Sequence, residues 1–201
     1  MLPIMEQLPY FNKMTLGRVL DKDGENLNYW VKKLLEKGEI IALKKGLFIS
    51  RLYLLSLKKN PGLKEQYLEY LANIIRYPSY ISLEYALYKY GVIPEGVYAI
   101  TSVTLKTPRN YKNGLGSFIY KNLKSEFYNG YKFVDFEGRR IKMATKAKAL
   151  FDFLYLGPVG DLEGLRINRD AFNAADRQEF KEIVTLSKSI KMKEILEKLK
   201  W

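Results

Sequence analysis

Residues 26–50 read Asn26-Leu27-Asn28-Tyr29-Trp30-Val31-Lys32-Lys33-Leu34-Leu35-Glu36-Lys37-Gly38-Glu39-Ile40-Ile41-Ala42-Leu43-Lys44-Lys45-Gly46-Leu47-Phe48-Ile49-Ser50. Leu27, Trp30, Val31, Leu34 and Leu35 recur at i, i+3, i+4, i+7 and i+8, so from Asn26 they form one face of an amphipathic helix. Gly38 ends it, because glycine accepts the left-handed conformation that closes a helix. Glu39–Leu43 is β-prone, Lys44-Lys45-Gly46 is a turn, and Leu47–Ser50 returns as a second strand. Once the apolar stripe packs inward, Trp30 at its middle belongs to the core. Asn28, Tyr29, Lys32, Lys33 and Lys37 are left facing outward.

Upstream, Ile4–Tyr10 fits a short helix. Met14, Leu16, Val19 and Leu20 fit a second one beginning beside Thr15 as its cap, and Asp21–Glu25 with Gly24 fits a turn. Helix, turn, helix and tight hairpin is the order of a winged helix-turn-helix, whose last helix enters the major groove while the hairpin lies along the backbone. Asn28 and Tyr29 offer an amide and a phenol to base edges, and Lys32, Lys33 and Lys37 offer ammonium groups to phosphates. Lys44 and Lys45 stand at the wing. Residues 28–59 hold eight lysines and arginines against Glu36 and Glu39, half of the chain's net charge of +12. Any one of these lysines equally fits a solvated helix surface. The set, in this order, makes double-stranded DNA the expected partner.

Lys58-Lys59-Asn60-Pro61-Gly62 is a breaker cluster and marks the expected boundary between a domain over 1–58 and a larger one over 63–201. Leu63, Tyr67, Leu68, Leu71, Ile74 and Ile75 predict a helix that stops before Pro78. Ser82 predicts the cap of a short helix that Gly91 ends. Val97–Leu105, Ser117–Lys121, Tyr131–Phe136 and Arg139–Ala144 are β-rich, with a hairpin turn at Glu137-Gly138. Thr145 predicts the cap of a helix with Ala149, Leu150, Phe153 and Leu154 inward. A loop containing Gly157, Pro158, Gly160 and Gly164 precedes C-terminal helices, the last over about Ser189–Leu199. The fold class is α+β: the winged helix, then a larger α+β domain whose sheet is mixed or antiparallel and flanked by helices.

Composition narrows the chemistry. The 201 residues include no cysteine and no histidine, which removes Ser-His-Asp and Cys-His catalysis, thiolate zinc sites and disulfides together. We expect no catalytic residues, no bound metal and no cofactor. No uninterrupted apolar stretch approaches a membrane span, and Glu6, Asn12 and Lys13 break the order of a secretory signal. A cytoplasmic protein without a membrane partner is expected. The sequence pI near 9.6 favours a polyanionic partner.

The succession of short motifs resembles the AbiEi family of antitoxins. Gly38-Glu39-Ile40 and Lys44-Lys45-Gly46-Leu47-Phe48 are similar to that family's N-terminal domain, where a helix closes on glycine and the wing has a Gly-aromatic pattern. Tyr80-Ile81-Ser82, Ala86-Leu87 and Tyr90-Gly91-Val92-Ile93-Pro94 resemble its serine-led helix running into a turn. Thr101–Pro108 looks like the strand and basic turn that follow. Phe127–Tyr131 looks like the aromatic-Gly step, and Lys148, Ala149, Leu150 and Asp152 match the Lys-Ala-Leu-x-Asp helix. Ala147 departs from the pattern, which often has an acid there. The Lys148–Asp152 spacing itself reads as a solvated helix pair. The resemblance implies a repressor that binds inverted repeats in its own promoter, and an antitoxin of a type IV toxin–antitoxin system that antagonises a nucleotidyltransferase-like toxin without having to touch it.

A second basic zone spans residues 106–148, with eleven lysines and arginines against three acids. Lys106, Arg109, Arg139, Arg140 and Lys142 are its candidate contacts, although strand alternation is expected to divide them between two faces. Two other functions fit the sequence less fully. One is a stand-alone winged-helix regulator without a toxin. The other is a magnesium-dependent nuclease built on Asp135, Glu137 and Lys142, whose spacing departs from an acid followed by an acid-x-lysine step.

Overall fold

A computed structural model describes residues 5, 7–57, 60–157 and 166–201. Ile4, Lys58, Lys59, Pro158, Gly160 and Gly164, on which parts of the sequence reading rest, lie outside them. The chain is α+β and divides into two compact units: residues 1–68 with 111–116, and residues 69–110 with 117–201. The division falls inside a helix, Pro61–Ile75, and not at the breaker cluster. Proline suits the first turn of a helix, so Pro61 starts one here and ends nothing.

In the first unit, strand β1 (Phe11–Asn12) leads into helix α1 (Lys13–Leu20), then helix α2 (Gly24–Glu36), strand β2 (Ile40–Lys44), strand β3 (Leu47–Ser50) and helix α3 (Arg51–Ser56). The three strands form one sheet in the order β1-β3-β2, antiparallel throughout. Met5, Phe11, Leu16, Leu27, Leu34, Ile40 and Phe48 make the core, with Leu8, Val19, Leu20, Val31 and Ala42 packed on it. Four details differ from the sequence reading. Leu8–Tyr10 are not helical. The cap of α1 is Asn12, whose side chain accepts from the Thr15 amide at 2.8 Å. Met14, 67% exposed, and Leu35, 37% exposed, lie outside the core, because a helix packed on a small sheet buries only the residues that face it. Arg51–Ser56, without apolar period, is nevertheless helical, capped by the Ser50 hydroxyl accepting from Leu52 N–H at 3.2 Å.

Helix α4 (Pro61–Ile75) supplies its last residues to the second unit. Strand β4 (Ser79–Ile81), helix α5 (Leu83–Lys89), strands β5 (Ala99–Thr104), β6 (Arg109–Asn113), β7 (Gly116–Asn122), β8 (Tyr131–Phe136) and β9 (Arg139–Ala144), and helices α6 (Lys146–Leu156), α7 (Ala174–Ser187) and α8 (Ile190–Leu199) follow. The six strands run in the order β6-β7-β5-β4-β9-β8. The sheet is mixed, since β4–β9 and β5–β7 are parallel while β4–β5 and β8–β9 are antiparallel. The expected β8–β9 hairpin forms with Glu137 and Gly138 both at positive φ, the requirement of a two-residue turn matched to strand twist. Two strands, β4 and β6, escape the sequence reading: β4 has three residues, and β6 is polar along most of its length.

Buried polar side chains fix the helices on this sheet. Lys148 and Asp152 are both fully buried and form an ion pair on α6, which corrects the solvated pair expected from their spacing. Asp152 also accepts from the Tyr80 hydroxyl at 2.9 Å and the Ser82 hydroxyl at 2.7 Å. Lys148 further lies over the Phe151 and Tyr80 rings, 5.0 and 5.7 Å from their centroids. Burial pushes the Asp152 carboxyl above its ordinary range and the Lys148 amine below its own, opposed in each case by the partner's charge. Ser82 does precede α5 as expected, yet its hydroxyl is committed to Asp152. Thr101 on β5 caps in its place, accepting from Tyr85 N–H at 3.0 Å. A second buried carboxylate, Glu69, accepts from the Tyr85 hydroxyl at 2.9 Å and pairs with Lys89 at 3.0 Å.

Removing one partner of a buried ion pair strands the other charge, whereas replacing both with apolar groups removes the desolvation cost as well. Lys148→Met and Asp152→Leu are each expected to lower unfolding free energy by about 3–5 kcal/mol. Lys148→Met with Asp152→Leu should recover most of that loss. Urea titrations of the four proteins complete the cycle, and an additive double variant would contradict the coupling.

Candidate nucleic-acid interface

The polar flank of α2 is built by its termini as much as by its periodicity. Asp21 at positive φ closes α1, and the short segment Asp21–Asp23 separates it from the first turn of α2. At the other end, Gly38 takes φ +64°, its N–H donates to Leu35 and that of Glu39 to Leu34, both at 3.0 Å. This pair of reversed bonds satisfies the last helical carbonyls and delivers the chain directly into β2. Gly46, φ +77°, then turns β2 into β3, with a register shift between Ala42 and Lys44 that re-aims the tip.

Each predicted contact residue has a definite place. Asn28, Tyr29, Lys32 and Lys37 are exposed on α2 or at its C-terminal end, Tyr29 by 59%. Lys33 sits on the shoulder between the polar flank and the core, its ammonium 4.7 Å from the Trp30 ring centroid and 5.7 Å from that of Tyr29. Trp30 is half-buried and so is not the core residue expected. It rims a cleft of about 460 Å³ that Met5, Leu16, Leu20 and Lys37 also line. One face of its ring is left to a cation, an arrangement that indole favours over other rings. Lys45 is exposed at the hairpin tip and Lys44 half-buried beside it.

Part of this charge is already engaged. Lys32 pairs with Glu36 one turn on, at 3.8 Å with both side chains in water, a contact too solvated to hold the lysine in place. The Lys13 ammonium donates to the Asn28 amide oxygen. Lys13 is therefore a member of the flank that sequence reasoning missed. Its signal was the Asn12-x-x-Thr15 cap, which makes residue 13 the first of α1 and turns it toward α2. Asn28 keeps its amide hydrogens for another acceptor.

The second basic zone does not gather. Arg109 lies on β6 and Arg139, Arg140 and Lys142 on β9, four strand positions away or roughly 19 Å at ordinary strand spacing, while Lys106 follows β5, two strand positions from β9. Lys148 is buried, Lys146 is held by Asp176 at 2.9 Å, Lys121 faces Glu84 at 3.6 Å and Arg139 faces Glu137 at 3.4 Å. The acids considered for a magnesium site are also committed: Asp135 accepts from the Gly138 amide at 3.4 Å, and Glu137 meets Arg139. Among the described residues no group of three or more carboxylates lies close enough to hold a metal ion. No helix among them is long and apolar enough to cross a membrane.

The sequence matches no protein-family model, and no curated protein matches it.

Because Gly38 both closes α2 and launches β2, Gly38→Ala is expected to destabilise the protein by about 1 kcal/mol or more. The new Cβ would also stand 3.0 Å from the Arg51 guanidinium. Thermal melts of Gly38→Ala and Gly38→Asn test this, since asparagine tolerates left-handed geometry better than alanine and should lose less.

Proposed function

We propose that this protein is a cytoplasmic DNA-binding transcriptional repressor whose first unit is a winged helix-turn-helix. On this reading α2 enters the major groove and the β2–β3 hairpin lies along the adjacent backbone. The observation that carries it is the continuity of the surface: Asn28, Tyr29 and Lys32 on the outward flank of α2, and Lys44 and Lys45 on the hairpin that Gly38 joins directly to that helix. The short turn between α1 and α2 and the pairing of β1 beside β3 support it, since both restrain the helix pair against the hairpin. Lys32, exposed and paired only with the water-screened carboxylate of Glu36, can exchange it for a phosphate, with release of condensed counterions.

The resemblance to AbiEi antitoxins extends the proposal. The repressor would act on inverted repeats of its own promoter and antagonise a nucleotidyltransferase-like toxin, with no catalysis of its own. Co-expression with the reading frame beside its gene tests that extension. Growth restored by this chain supports it, and a harmless neighbour or unrelieved toxicity removes the antitoxin role while leaving repression intact.

For the DNA interface, Lys32→Ala with Lys33→Ala should weaken binding to all duplex sequences and flatten the dependence of log K on log salt by about 1 for each phosphate no longer neutralised. Asn28→Ala should chiefly narrow the gap between promoter and unrelated DNA. Promoter-fragment titrations at two salt concentrations read both effects. Identical affinities for the wild type and the lysine pair would refute the assignment.

A further inference from the structure

The β8–β9 hairpin presents a surface that the proposed repressor role leaves unused. Directly opposed residues of antiparallel strands share a face, and the register places Phe133 opposite Lys142 and Asp135 opposite Arg140. The other face of the hairpin carries Phe136, Ile141 and Met143, all buried. Toward β4 the first face is covered, because Tyr80 packs under Tyr128 and Tyr131 at 5.1 and 5.2 Å while reaching Asp152. Toward the Glu137-Gly138 turn it is open. Phe133 is 53% exposed in the middle of an edge strand, and Tyr77 is 66% exposed nearby.

Cations accompany these rings. The Arg140 guanidinium lies 5.2 Å from the Phe133 centroid, and the Lys142 ammonium lies 5.0 Å from Tyr131 and 5.7 Å from Tyr77. Neither Arg140 nor Lys142 forms an ion pair among the described residues, and Asp135 is the one acid that β8 and β9 place on this face. Exposed rings among unpaired cations fit a ligand with flat π surfaces and negative charge.

We propose that this face binds single-stranded nucleic acid, with Phe133 and Tyr77 stacking bases and Arg140 and Lys142 meeting the phosphates. A duplex fits poorly. Its bases are stacked on one another and show only their edges in the grooves, whereas rings standing on a sheet need bases that are splayed out. The Tyr131 and Phe133 centroids are 6.0 Å apart and their planes nearly perpendicular. That spacing exceeds the rise of a stacked strand, about 3.4 Å, and suits bases taken one at a time. The inference is independent of the α2 assignment, since every residue it uses lies in the second unit.

The test uses the full chain and fluorescein-labelled oligothymidylate and oligouridylate of about twelve nucleotides, a length within the site sizes of such surfaces. A duplex of equal length serves as the comparison. Phe133→Ala should weaken single-strand binding about tenfold, from one missing stacking partner, and leave duplex binding unchanged. Phe133→Trp should retain affinity, and its melting temperature reports whether the hairpin is intact. Arg140→Ala with Lys142→Ala should weaken binding and flatten its salt dependence. Lys32→Ala with Lys33→Ala should alter duplex binding alone, which separates this proposal from the preceding one. Equal affinities for Phe133→Ala and wild type overturn it. So does a preference for the duplex that depends on Arg140 and Lys142, or binding to phosphatidylserine vesicles with no binding to either oligonucleotide.

Discussion

The second unit is organised by one carboxylate that has no access to water. Asp152 lies on α6 and satisfies its oxygens from Lys148 on the same helix and from two hydroxyls on or just after β4, those of Tyr80 and Ser82. A buried charge tolerates few alternative arrangements, because every displaced donor leaves a desolvated oxygen behind. The cluster therefore sets where α6 crosses the sheet. It also diverts Ser82 from capping α5, so that Thr101 of β5 takes over that role. Burial of Tyr80 in turn gives Tyr128 and Tyr131 a floor to pack on, and the covered part of the sheet face ends there.

The first unit works under a different constraint. Its core is small, and α2 can turn only Leu27, Leu34 and part of Val31 and Trp30 inward. What remains of the helix is a flank of amide, phenol and ammonium groups whose local partners are weak. Lys32 has a solvated carboxylate, Lys33 has ring faces, and Asn28 has the ammonium of Lys13. Such contacts hold side chains in extended poses at little cost, which suits the proposed exchange for phosphates and base edges.

Much of this is legible in the chain. The α2 stripe, the Gly38 closure, the Gly46 turn and the Glu137-Gly138 turn depend on neighbours within a few residues, so periodicity and glycine placement suffice. Both strands of the β8–β9 hairpin are legible to the residue for the same reason. Sequence reasoning fails where the partner is distant. Asn12 and not Thr15 caps α1, because β1, paired with β3, ends there and starts the helix three residues earlier than Thr15 suggests. Pro61 looks like a break because its neighbours resemble a linker, while the helix that it begins is held by residues far along the chain, such as Tyr120 donating to Ala72 at 2.6 Å.

The sequence by itself determined the α+β class, the basic amphipathic helix with its hairpin, and the absence of thiol and imidazole chemistry, since these follow from composition and from interactions a few residues long. Only the tertiary structure decided that Lys148 and Asp152 are buried, that Trp30 rims a cleft, and that the second basic zone separates into distant groups while Phe133, Arg140 and Lys142 come together. Helical spacing reports that two side chains share a face but not whether that face meets water. Strand order, which sets which charges become neighbours, is fixed by pairings between segments far apart in the chain.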